Sequence, residues 1–114
     1  MKINGVELEN IDIYDLEVAE KYEEAMARVQ KIEEEVKTLD GAEGIRKICN
    51  SIFEMFNTMF GEGADKKIFG DKVNLLTCLK ALEEFLLQVD DQKKEIEKLS
   101  TKYSPNRASR RTKK

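Results

Sequence analysis

The chain has 114 residues with one proline, no tryptophan and no histidine; 38% are charged and the formal net charge is −3. One domain with a modest core fits that length, and long solvated helices fit that composition better than a β-sandwich or a parallel sheet. Without histidine the commonest general base and metal ligand is missing, and no apolar run approaches membrane-spanning length, so neither an enzyme nor a membrane-spanning protein is expected.

The charge is unevenly divided. From Lys102 onward there are six basic residues and no acidic one, which leaves residues 1–101 with fourteen basic against twenty-three acidic residues, a net −9. Cys49 and Cys78 lie inside apolar helical patterns, without the close spacing of a metal knuckle or a CxxC pair, and read as two buried free thiols of a reduced cytoplasmic protein. The opening residues lack the apolar centre of a signal peptide, which agrees with that location.

In chain order, Lys2-Ile3-Asn4-Gly5-Val6-Glu7-Leu8 alternates around Asn-Gly, the pair suited to a type I′ turn, and predicts a small hairpin over 2–8 that leans on a helix. A first helix is expected over about 12–39, capped by Asp12, with Ile11 stapled onto Leu16. Its seam is Val18, Tyr22, Ala25, Val29, Ile32, Val36 and Leu39. Its other face, with Glu23, Glu24, Glu33, Glu34 and Glu35, reads as solvated surface. Asp40 and Glu43 can begin a second helix over 42–60, whose wide arc from Ile45 through Phe56 to Met59 and Phe60 makes it the most enclosed element.

The stretch Phe60 to Asp71 places two Phe-Gly steps around a short polar loop. It reads as a structural corner formed by Phe60, Gly61, Gly63, Ile68, Phe69, Gly70 and Asp71, in which glycines take left-handed backbone and the large side chains pin the bend. Gly61-Glu62-Gly63 is a poor phosphate loop, because it follows a helix, lacks a Gly-Lys-Ser/Thr ending and carries a carboxylate.

A third helix is expected over 71–99 with Asp71 as cap and Leu75, Leu79, Leu82, Leu86, Val89 and Ile96 as seam, widened by Leu76 and Phe85. Past Val89 the pattern thins, with Lys93 and Ser100 at apolar positions, so Asp90 to Leu99 is expected to project unless a partner covers it. Residues 102–114 form a basic tail that is expected to be disordered when alone. The resulting fold is mainly α: an antiparallel three-helix arrangement over 1–101, two long helices around the short aromatic one, with the hairpin against an end.

No catalytic, cofactor or metal site emerges from these patterns. Candidate partner-binding residues are Met55, Met59, Phe85, Val89 and Ile96, apolar side chains at a helical spacing that more often marks plain packing. The heptad seams can pair within one chain or build a homo-oligomer. Arg107, Arg110, Arg111, Lys113 and Lys114 are the candidate tail contacts, for nucleic acid or for an acidic protein surface.

Two passages carry a resemblance: Met1-Lys2-Ile3-Asn4-Gly5-Val6-Glu7-Leu8 running into an Asp-capped helix, and Phe60-Gly61-Glu62-Gly63 through Ile68-Phe69-Gly70 to Asn74-Leu75. They resemble small tail-region proteins of tailed phages and prophages of Gram-positive bacteria, and Asn106 to Arg111 resembles the basic ends of phage tail assembly proteins. The resemblance implies a setting: a non-enzymatic protein in the cytoplasm of the bacterial host, or associated with the virion. There it would act in tail morphogenesis, as a chaperone or adaptor for helical segments of a tape-measure or tail subunit. The alternatives are an inhibitor that offers its acidic face to a host protein, and a minor nucleic-acid-binding protein that works through its tail.

Overall fold

The computed structural model describes residues 1–38 and 41–103, with side chains through residue 100. The elements are β1 (Lys2–Ile3), β2 (Val6–Glu7), α1 (Leu16–Val36), α2 (Gly41–Phe60), α3 (Ala64–Phe69) and α4 (Leu75–Tyr103). The fold is mainly helical with a small antiparallel hairpin. Leu39 and Asp40, and with Asp40 its expected capping box, lie outside the described residues, as do 104–114 with every candidate tail contact.

The hairpin turns through Asn4 and Gly5, both at positive φ (52° and 77°), as a type I′ turn requires. Lys2 faces Glu7 and Ile3 faces Val6. Two such short strands do not persist alone, and here they are held from α4. Gln88 Nε2 donates to the Lys2 carbonyl at 2.9 Å, the Asn4 N–H donates to Glu84 Oε1 at 3.0 Å, and Ile3 is fully buried. Asn4 Nδ2 also donates to the Ile68 carbonyl at 2.8 Å, which ties the hairpin to the corner.

Helix α1 begins one turn later than its sequence suggests. Asp15 is the N-cap, its carboxylate accepting from the Glu17 N–H at 3.2 Å, while Asp12 accepts from the Tyr14 N–H in a turn before it. The cause is tertiary: Gln92 of α4 accepts from the Ile13 N–H and donates to the Ile11 carbonyl, each at 2.8 Å, and so holds 11–13 out of helical geometry. Leu16 consequently points to solvent, and the Ile11 staple does not form. The α1 seam is otherwise as expected, with Ala25 and Val29 buried and Val18, Tyr22, Ile32 and Val36 half-buried.

Helix α2 is the centre of the molecule and meets α1, α3 and α4. It runs antiparallel to α1, as the approach of Lys47 Nζ to Glu35 Oε2 (4.0 Å) near their linked ends shows. Gly44, Cys49, Ser51, Ile52, Met55, Phe56 and Met59 are buried along it. The buried Ser51 hydroxyl donates to the Ile48 carbonyl at 2.7 Å, so this polar group enters the core satisfied.

The corner contains a helix of its own. Gly61 (φ 102°) ends α2, Gly63 (φ 91°) starts α3, and Gly70 (φ 65°) ends it. The Asn57 side chain accepts from the Asp65 N–H at 3.0 Å, and Ile68 and Phe69 pack inward. Phe69 lies against Phe53 and Phe56, with ring centroids 5.0 and 5.8 Å apart, so the chain has doubled back along α2 before α4 starts. As a result α4 runs parallel to α2: Cys78 neighbours Cys49, and seven residues further along each helix Phe85 meets Phe56 at 5.8 Å. The wholly antiparallel arrangement expected from the sequence is thus corrected by α3, which returns the chain to the starting level of its neighbour.

Asn74 caps α4, its side chain accepting from the Thr77 N–H at 3.0 Å. Asp71, the cap expected from the sequence, is exposed and only meets Lys66 Nζ at 3.4 Å. The buried stripe of α4 is Cys78, Ala81, Leu82, Phe85 and Val89, rotated from the leucine seam that periodicity picks out. Small residues at 78 and 81 leave room for α2 and the hairpin, while Leu79 stays exposed and Leu75 and Leu86 are half-buried.

Candidate functional site

Four of the five candidate partner-binding residues are core. Met55, Met59, Phe85 and Val89 are buried, because α4 lies directly on α2 and the rings of Phe56, Phe60 and Phe85 pack against one another within 6.2 Å. None of these four offers surface to a partner. The fifth, Ile96, is 41% exposed. The corner residues Phe60, Gly61, Gly63, Ile68, Phe69 and Gly70 do structural work, turning the chain and sealing the core.

Among the described residues, five of the nine exposed large apolar side chains lie on α4. Two rows of residues at seven-residue intervals run along its inner face. In the first, Cys78 and Phe85 are buried, Gln92 is half-buried and Leu99 is 45% exposed. In the second, Leu82 and Val89 are buried and Ile96 is exposed. The inner stripe therefore continues beyond the body. Every residue from Lys93 to Ser100 is exposed, a stretch of about 12 Å at 1.5 Å per residue.

The base of this projecting end is polar and aromatic. Lys93 Nζ sits 5.8 Å from the centroid of the Tyr22 ring, which satisfies a cation at a seam position by placing it over a π-face. Burial and then the Asp90 carboxylate raise the Tyr22 phenol pKa. Tyr14, whose phenol pKa is raised by desolvation and then by Glu97 and Asp12, flanks the projecting end, and it too is exposed.

A second apolar surface lies on the opposite face of α4. Leu76, Leu79 and Leu87 are exposed there, Leu76 by 61% and Leu87 by 56%, and Val73, just before the helix, is exposed as well. Periodicity alone obscures this ridge because Lys80 and Glu83 interrupt it. The spacing 76, 80, 83, 87 is the signal that reveals it once the inner face of α4 is known.

Elsewhere, a groove of about 290 Å³ between α1 and α2 is lined by Arg28, Lys31, Ile32, Glu35, Lys47 and Glu54 among others. Its lining carries charges of both signs, three basic and two acidic side chains. On the acidic face of α1, Glu24 pairs with Arg28, Glu34 with Lys37 (3.0 Å) and Glu35 with Lys47. Cys49 and Cys78 are free and buried, and burial, then the Cys49 thiol beside it, pushes the Cys78 thiol up to about 12. Among the described residues no three His, Cys, Asp or Glu side chains are grouped to hold a metal ion, and no helix is long and apolar enough to cross a membrane.

A model for a family of unknown function (DUF6673) matches residues 4–114, and the chain belongs to that family. No curated protein matches it, and no solved structure does.

Proposed function

We propose that this family member is a non-enzymatic protein of tail morphogenesis in a tailed phage or prophage, a chaperone or adaptor that holds helical segments of a tape-measure or tail subunit. The observation that carries the reading is the pair of heptad rows that leave the core and end in the open at Ile96 and Leu99. A partner helix with its own apolar stripe would continue the packing that α2 gives to Phe85 and Val89, and would shield its stripe from water until assembly.

The setting comes from the resemblance of the hairpin, corner and tail sequences to phage tail-region proteins. That resemblance supports a location in the cytoplasm of the bacterial host, or association with the virion. Inhibition of a host protein through an acidic face has less support, since three of the glutamates on α1 already have cationic partners. A nucleic-acid role would rest on 107–114, outside the described residues.

Co-expression with the tail proteins of the same phage, followed by affinity capture in mild salt, tests the proposal. A tape-measure or tail-subunit fragment of helical sequence should be captured. A clean absence of any tail component would overturn it.

A further inference from the structure

We infer that the outward face of α4 is a two-fold homodimer interface, in which α4 packs antiparallel on α4 of a second copy about a midpoint between Ala81 and Leu82. The positions Leu76, Lys80, Glu83, Leu87 and Asp90 of α4 alternate in steps of four and three, and all five are exposed. That is a coiled-coil seam on the side of the helix away from the core. The hairpin, the segment before α1 and α1 itself approach α4 through Glu84, Gln88, Gln92 and Lys93, which leaves the seam free.

Charge complementarity identifies the occupant as a second copy and sets its direction. About the stated midpoint Leu76 lies opposite the partner subunit's Leu87, and Lys80 lies opposite the partner subunit's Glu83. The two-fold axis repeats each pairing, giving two leucine layers around a centre of opposite charges. Leu79, exposed beside the seam, lies near the partner subunit's Leu86. A parallel in-register pair would instead set Lys80 on lysine and Glu83 on glutamate, a repulsive arrangement. Charged residues at central seam positions weaken a coiled coil but fix its register and orientation.

The interface lies on a different face from the projecting end. An antiparallel dimer would point its two projecting ends in opposite directions, with Ser100 of one copy roughly 55 Å from its equivalent in the other at 1.5 Å per residue.

Sedimentation equilibrium of the full chain tests this, with far-UV circular dichroism to confirm that each variant is folded. The wild type should show a monomer–dimer equilibrium. Lys80→Glu and Glu83→Lys should each raise the dissociation constant by roughly tenfold, because each turns two attractive pairs into repulsive ones. The double variant Lys80→Glu/Glu83→Lys should recover wild-type association. In oxidising buffer Leu76→Cys mixed with Leu87→Cys should cross-link, and Leu76→Cys alone should not. A monomer at every concentration, a dimer indifferent to the charge reversals, or self-cross-linking of Leu76→Cys would overturn the proposal.

Discussion

At the scale of single residues, Gln92 decides more than its side chain suggests. It satisfies the Ile13 N–H and the Ile11 carbonyl together, so Gln92→Ala leaves two part-buried backbone groups without partners. The expected loss is about 1–3 kcal/mol in urea unfolding. The corner glycines make a different prediction. A Cβ at Gly61 or Gly70 would meet no atom within 4 Å, so the cost of substitution is conformational and not a clash. Gly61→Ala and Gly61→Val should then both lose about 1–3 kcal/mol, with alanine already incurring most of it. If crowding were the cause, alanine would be nearly silent.

Cys78 supplies a pH dependence with a definite sign. Its thiol is raised from 9.0 to about 12 in the folded chain, so above pH 9 the unfolded state gives up a proton that the folded state keeps. This contribution to stability is complete below pH 9 and is lost as pH rises from 9 towards 12, at about 1.4 kcal/mol per pH unit. Urea unfolding at pH 8 and pH 10 should show a steeper loss for the wild type than for Cys78→Ala, whose core has no thiol there to titrate.

At the scale of elements, the sequence made the hairpin legible because Asn4-Gly5 admits few alternatives, and α2 legible because its apolar arc is so wide. It placed the cap of α1 at Asp12 because Asp12 and Asp15 are chemically equivalent choices; the deciding hydrogen bonds come from residue 92, eighty positions away. Helix α3 escaped notice because six residues cannot display a period, and Asp65, Lys66 and Lys67 look like loop. The direction of α4 depends on α3 and is not legible without it. The candidate site was half legible: the thinning after Val89 pointed to an uncovered end, yet Met55, Met59, Phe85 and Val89 were indistinguishable from surface until the partner helix was in place. Phe85→Ala, in the middle of the ring cluster, should cost about 3–5 kcal/mol of stability, as a core truncation does.

At the scale of the whole molecule, the body extends 54 Å along its longest axis but only 22 Å along its shortest. An elongated shape with one over-long helix has little core for its length, and α4 carries apolar side chains on two faces where an isolated surface helix needs one. Both observations support the proposed docking of other helices. The ridge at Leu76 and Leu87 suits a second copy, and the rows ending at Ile96 and Leu99 suit a foreign helical segment.

The most direct test of that account is capture of tail components by the full chain and by Ile96→Lys/Leu99→Lys, two proteins that should share the same far-UV spectrum because both positions are outside the core. The wild type should retain a helical tail component and the double variant should lose it. Equal capture by both proteins would contradict the assignment of the projecting end of α4 as the binding surface.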